Sequence, residues 1–426
     1  MKKVLTTVLL GLYFFSYTIP QYIPGLFYVY DRVTIQTLFL SLLNLVSFII
    51  IVKVSSFNNL FSFFKNKYHY YAYIGFILIS VISLISAENL AEGLITLTKF
   101  IVFFVSFTCI AFLGFQSKIS FLKVLIAFTF IAVFMESLYV NYLYYDSVIT
   151  NGQLLQRGND FNGFGANINI SSFSLIMKIP IILYVFFNSN KRLIKVISTT
   201  ILFSSLLTIL LLQSRAAILA LFLILFFVFI ISIIQKKWLY IKNLMFILLI
   251  GVFSIISYQQ FNDKNASDVI VERFSTITDP GSDDSVKERL NFYSTAVESI
   301  SMNPLFGIGV GNWKIVSIKY SKDIIKEYRV PYFAHNDFLQ ITAEIGIIGG
   351  ILYIFFIFYP FLISALYTLK NKKFDQYFLI FLILGGYIVD SMLNFPMDRP
   401  MIVIFLFFTF SLFYDLEKNK MINDEK

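Results

Sequence analysis

Apolar runs of about 20 residues recur along most of this chain, separated by short polar connections. A helix that crosses a bilayer needs about 20 mostly apolar residues. By that measure the pattern predicts about 12 spans, near 4–20, 33–53, 70–87, 94–115, 120–141, 167–187, 195–213, 216–234, 239–258, 343–369, 374–392 and 400–415. The expected fold class is an all-α polytopic membrane protein. Nine spans fill residues 1–258, a large loop covers 259–342, three more spans cover 343–415, and 416–426 form a tail. Met1-Lys2-Lys3 followed by an apolar run to Ile19 has the form of a secretory signal. No small-residue cleavage pattern follows, so the stretch is read as the first membrane helix, entering from the cytoplasm.

One connection is different in kind. Between 259 and 342 the spacing of Val286, Leu290, Tyr293 and Val297 predicts a helix with one apolar stripe, opened by an Asp/Ser start signal. Arg289 falls on the side away from much of that stripe. Asn303-Pro304 breaks the helix, and a second helix is expected over Ile315–Tyr328. Leu305, Phe306, Ile308 and Trp313 call for burial, so the segment is expected to pack over the ends of the spans as a cap. Loops longer than about 15 residues are usually functional or disordered, and this one has the pattern of a folded piece.

Charge fixes an expected orientation. One set of connections carries Lys53, Lys65 and Lys67; Lys118 and Lys123; Lys191, Arg192 and Lys195; Lys236, Lys237 and Lys242; Lys370, Lys372 and Lys373. The other set is poor in lysine and holds Asp31, Glu88, Glu92, Asp146, Asp160 and Asp390. Basic loops stay in the cytoplasm, which puts both termini there and the long loop on the far side. The net charge of +9 reflects this topology rather than a nucleic-acid partner. Composition agrees with the membrane reading, at 58% hydrophobic, 14% charged and a mean hydropathy of +0.77. The single Cys109 allows no intrachain disulfide, and two distant histidines, His69 and His335, do not form the ligand pattern of a zinc centre. No cofactor or metal is expected.

The candidate chemistry gathers on the far side. His335 precedes a helix start near Asn336 or Asp337, where a helix N-terminus favours a neutral imidazole able to take a proton from a hydroxyl. His69, in a basic, tyrosine-rich cytoplasmic loop, receives no role. Arg215, in Gln213-Ser214-Arg215-Ala216, stands at a near-loopless turn between two spans, a costly place for a charge unless it faces a polar cavity. Arg289 and Arg157 lie on the same side, and guanidinium suits bidentate binding of phosphate. The alternative is an interfacial snorkelling side chain for Arg215, a solvated surface charge for Arg289 and a flexible connector for the loop that holds Arg157. Asn167 begins a span after the Gly/Asn-rich loop that holds Arg157. Gly307, Gly309 and Gly311 alternate without a preceding strand, which excludes a dinucleotide fingerprint; they suit a tight backbone path against a neighbouring span. Glu344 stands at a membrane-helix start, placed to pair with an arginine or orient a polar group. Asp390, Asn394, Asp398 and Arg399 form a further polar cluster.

Asn303-Pro304-Leu305-Phe306-Gly307-Ile308-Gly309-Val310-Gly311, then His335-Asn336 with Leu339, then Glu344, Gly346 and Gly349, resemble the signature of the O-antigen ligase superfamily. Ser214-Arg215-Ala216 also fits, and Gly163–Asn169 and Arg289 fit more loosely. The superfamily includes lipopolysaccharide O-antigen ligases, O-antigen polymerases and bacterial O-oligosaccharyltransferases. The resemblance implies a metal-independent GT-C-type enzyme of the bacterial inner membrane, with its site facing the periplasm. Such an enzyme moves a glycan from undecaprenyl diphosphate to an acceptor hydroxyl. His335 is then the base at the acceptor, and Arg215 and Arg289 hold the donor diphosphate. Arg157, Asn167, Asn336, Glu344 and Gly309 are candidate substrate-binding positions. Ligation to lipid A–core is the first expectation; a polysaccharide polymerase and a protein O-oligosaccharyltransferase are the alternatives. A transporter of lipid-linked sugars is the alternative from another class. It calls for ionisable residues deep in several spans, and only Glu136, Lys99 and Lys178 stand as candidates, each read as near a span end.

Overall fold

The structure is a computed structural model and describes residues 3–18, 32–55, 57–117, 120–146, 163–165, 167–236, 238–260, 284–320 and 331–424. Within these residues every regular element is helical: α1 (Lys3–Phe14), α2 (Arg32–Ser55), α3 (Phe57–Phe64), α4 (Tyr68–Ser83), α5 (Leu90–Gln116), α6 (Phe121–Tyr144), α7 (Ile168–Asn188), α8 (Arg192–Leu212), α9 (Arg215–Ile234), α10 (Trp238–Gln260), α11 (Asp284–Met302), α12 (Trp313–Tyr320), α13 (Asp337–Asn371), α14 (Gln376–Leu393) and α15 (Pro400–Asp424), with three short 3₁₀ turns. The protein is an all-α polytopic membrane protein.

Eleven of the predicted spans coincide with helices that, among the described residues, are long and apolar enough to cross a bilayer. The exception is the first, α1, whose helix spans 12 residues and gives way to turns at 15–18. The other shift concerns α13, which begins at Asp337 rather than near 343. Its first turns carry Asp337, Gln340 and Glu344, so hydropathy alone hides them. His69, expected in a loop, lies in the first turn of α4, fully buried against the rings of Tyr359, Phe410 and Tyr414.

Two apolar cores hold the bundle together. One is built mainly from α1, α2, α4, α5, α13, α14 and α15, the other from α7, α8, α9, α10 and the start of α14. Between α6 and α7 a buried ion pair joins Lys178 to Glu136 at 2.5 Å, with side chains 1% and 5% exposed. Ser174 and Tyr17 also donate to the Glu136 carboxylate. This pair, read in the sequence as near span ends, is enclosed in the helix bundle; its charges answer each other and anchor α1, α6 and α7 together.

The turns joining α4 to α5, α8 to α9 and α14 to α15 lie at the same end of the bundle as α11, α12 and the start of α13. This end is called the loop end below. The opposite end carries Lys53, Lys65, Lys67, Lys191, Arg192, Lys195, Lys370, Lys372 and Lys373.

Candidate active site

A break in α13 builds the floor of the site. Gly346 adopts φ 78° and ψ 173°, outside helical geometry. The N–H of Ile347 therefore donates to the carbonyl of Pro304 at 2.8 Å, leaving the carbonyl of Ala343 to the N–H of Ile308 at 2.9 Å. The next carbonyl, on Glu344, accepts from Gly309 N–H at 2.9 Å. The glycine-rich stretch thus runs along the opened turn like a short added strand, and its φ angles of +67°, +94° and +72° at Gly307, Gly309 and Gly311 make that path possible. A Cβ on Gly309 would stand 2.5 Å from the Cα of Ala87. Val310 N–H and the side chain of Asn312 then tie the loop to Ser83 and Asn89, at the turn between α4 and α5.

Glu344 holds the other arm of this loop. Its carboxylate accepts from the N–H groups of Gly311 (2.9 Å) and Trp313 (3.2 Å), and Gln340 reaches it at 3.4 Å. The Gln340 carbonyl in turn accepts from Ala334 N–H at 2.9 Å, beside His335. Glu344 therefore meets backbone amides rather than the arginine its position invited. Beneath lies a small core of Ala296, Trp313, Ala334 and Ala343.

His335 sits on this floor in a left-handed backbone conformation, φ 56°, unusual for a residue with a side chain. The Tyr293 hydroxyl is within hydrogen-bond reach of the carbonyls of His335 (3.1 Å) and Met392 (3.0 Å), so α11 and α14 share the task of holding it. The imidazole lies between Phe292, near-parallel at 6.4 Å, and Phe395, edge-on at 5.2 Å. Nδ1 is buried and has no hydrogen-bond partner among the described residues. Desolvation first, and the nearby Arg289 charge second, together lower the imidazole pKa to about 4. The ring is therefore neutral at physiological pH, held so by desolvation and by the neighbouring guanidinium.

That electrostatic contact brings Arg289 to His335. It also corrects the predicted stripe of α11: Leu290 and Val297 are 53% and 55% exposed, whereas Thr295, Ala296 and Ser299 are buried and Phe292 packs on the small core. The helix buries the face that carries Phe292 and Ala296 against α13, which turns Arg289 towards the histidine. Of the loop's apolar residues Ile308 and Trp313 are buried as expected, while Leu305 and Phe306 remain exposed beside the helix break.

Arg215 is the first residue of α9, partly buried, after Gln213 in the left-handed region. Ser214, its neighbour, donates to Asn169 Oδ1 at 2.9 Å, and Asn167 caps α7 by accepting from Asn169 and Ile170 N–H. Asn336 caps α13 in the same way, accepting from Leu339 N–H at 3.1 Å. The carbonyl oxygens of both asparagines thus serve helix starts. Arg157 lies outside the described residues, as does most of the second predicted loop helix beyond Tyr320.

A cavity of about 740 Å³ opens at the loop end among α2, α5, the start of α13 and the 396–399 turn. The sequence reading missed it. Its walls include Lys99, paired with Asp398 across 299 positions of sequence, and Asp337, which accepts from Met397 N–H at 2.8 Å. Arg399 lies over the rings of Phe333 (5.6 Å) and Phe395 (4.8 Å), which stack on each other at 3.9 Å. Phe395 thus has Arg399 on the cavity side and the edge of His335 as another neighbour.

Residues 199–354 match the O-antigen ligase family. This segment is an O-antigen ligase family domain. No curated protein matches the chain. The ligase domain takes in Arg215, Arg289, the glycine-rich loop, His335 and the Gly346 break, so all three expected catalytic side chains fall inside it. Lys99, Asn167 and the 396–399 turn lie outside its bounds, on helices that complete the walls. Members of this ligase family are membrane glycosyltransferase-like enzymes acting on lipid-linked glycans and acceptors.

Proposed function

We propose that the protein transfers a glycan from undecaprenyl diphosphate to an acceptor hydroxyl, in the reaction that ligates O-antigen to lipid A–core. The observation that carries this reading is a half-buried, neutral His335 beside the Arg289 cation, within a segment that matches the O-antigen ligase family. The lysine-rich opposite end favours an orientation with the loop end on the periplasmic face of the inner membrane.

In the transfer, the acceptor oxygen forms a bond to the anomeric carbon while the bond from that carbon to the diphosphate oxygen breaks. The imidazole takes the hydroxyl proton, help worth about 10²–10⁴-fold. The diphosphate leaves with the bonding electron pair, and Arg215 and Arg289 neutralise the charge that develops on it. Two guanidinium groups can meet that need without a metal ion. Below Arg215, the inner face of α9 meets α13 and α14 at an apolar groove lined by Ala220, Leu223, Ile224, Phe227, Gly385 and Gly386. A diphosphate held at the head of α9 would leave its polyprenyl chain running along that groove.

The test pairs the purified protein with a polyprenyl-diphosphate glycan and a lipid A–core acceptor, alongside a gene deletion. A ligase predicts transfer in vitro and, in the deletion strain, polymer retained on the carrier lipid and missing from lipopolysaccharide. Surface glycan reduced to single-unit caps would instead assign polymerisation, and unchanged surface glycan would sink the reading.

A further inference from the structure

The apolar groove and Arg215 belong to the α7–α10 side of the bundle, whereas the 740 Å³ cavity is walled by α2, α5 and α13. The two voids share the neighbourhood of α13 and α14 but not a wall helix beyond it. A two-substrate transfer needs two approaches to the base, and this cavity is lined by Phe333 and Arg399, which pack on Phe395 beside His335. Its volume falls within the range of about 300–1,000 Å³ common to small-molecule sites.

The chemistry of the walls selects the ligand. Cations and anions answer one another: Lys99 with Asp398, and Lys314 with Glu92 at 2.6 Å. Arg399 is spread over two phenylalanine rings. Asp337 and Glu344 are held by backbone N–H groups, and the two lysines are already engaged by Asp398 and Glu92 rather than aimed at a diphosphate. Hydroxyl groups suit it better, because paired charges offer both donors and acceptors, and the rings of Tyr332 and Phe333 offer flat faces to the C–H side of a sugar.

We propose that this cavity is the acceptor subsite, taking the uncharged terminal sugars of the acceptor glycan and presenting one hydroxyl past Phe395 to His335. The assignment rests on the transfer reaction proposed above. Asp398 and Lys99 then act as hydrogen-bonding groups to the sugar ring, and the Phe333–Phe395 stack is the partition between the acceptor's body and the reacting centre.

Thr34 on α2 and Thr98 on α5 both line this space and are exposed, so a tryptophan at either takes up cavity volume without entering the helix core. The probe is the lipid-free acceptor oligosaccharide released from the cell's envelope by mild acid, titrated calorimetrically into the full-length protein in nanodiscs. Thr34→Trp and Thr98→Trp should each weaken its binding at least tenfold and raise the acceptor KM by a similar factor, with the donor KM within twofold. Thermal unfolding of both variants identifies any that fails to fold, and the other then carries the test. Unchanged oligosaccharide affinity in a folded variant, a rise in donor KM alone, or displacement of the oligosaccharide by inorganic pyrophosphate would overturn the assignment. Oligosaccharide binding to the wild type without transfer from any donor would overturn the reaction and leave the cavity a glycan site.

Discussion

A Cβ placed on Gly307 would stand 2.3 Å from the carbonyl oxygen of Glu344. The glycine-rich loop and the opened turn of α13 are in backbone contact, and the same holds in reverse, since a Cβ on Gly346 would meet the Leu305 oxygen at 2.2 Å. Both glycines also have positive φ. Gly307→Ala and Gly346→Ala are each expected to lower stability by more than about 1–3 kcal/mol, the strain of a left-handed residue alone, and to abolish activity. Gly251→Ala, where nothing lies within 4 Å of the added carbon, should be neutral by thermal unfolding. A tolerated Gly346→Ala would mean the break is not required.

With His335 as the proposed base, the acidic limb of the rate profile is expected to follow its titration. Its pKa is lowered to about 4, so the imidazole stays unprotonated, and able to accept a proton, from neutral pH down to that value. Activity lost to its protonation should appear only as pH falls through about 4. Arg289→Gln removes the second cause of the shift, and its acid limb should move upward, towards the ordinary histidine value, whatever its effect on rate. His335→Ala should reduce kcat by about 10²–10⁴-fold. A limb that stays put in Arg289→Gln would separate the two residues.

Arg215→Lys and Arg289→Lys keep charge and lose the planar fork. Each is expected to raise the donor KM about tenfold or more, the equivalent of one charge-assisted hydrogen bond at about 1.5–3 kcal/mol, with acceptor KM little changed. Initial rates with donor and acceptor varied separately give the answer, and unaltered donor kinetics would remove bidentate phosphate binding.

Lys178→Ala strands the Glu136 carboxylate inside the bundle, and breaking a buried pair in this way costs about 3–5 kcal/mol. Replacing both partners, as Glu136→Gln with Lys178→Met, should recover most of the loss and leave transfer intact. If the double variant folds well but is inactive, the pair has a task in the reaction beyond anchoring α1, α6 and α7.

The helices were readable because hydropathy writes itself into consecutive residues, and His335 and Arg215 stood out as candidates because each is a rare polar side chain at a span's mouth. What hydropathy could not show was pairing across distance. Lys99 and Asp398 are 299 positions apart and Glu136 and Lys178 are 42 apart, so neither the cavity nor the buried pair leaves a local pattern. The stripe on α11 misled for a related reason. Val286, Leu290, Tyr293 and Val297 have the right period, but the helix packs its Phe292–Ala296 face on α13, and tertiary contact overrode the more apolar register. Asp337, Gln340 and Glu344 hid the true start of α13 because their partners are backbone amides of another segment and of the 396–399 turn.

At 35 residues α13 would measure about 52 Å if continuous, against a hydrocarbon layer of about 30 Å. The discontinuity at Gly346 divides that length into a membrane-crossing shaft and a short shelf bolted to the neighbouring turn by Val310 and Asn312. The start of the helix is therefore held in place by the neighbouring turn and the glycine-rich loop, independently of the length of the membrane-crossing shaft.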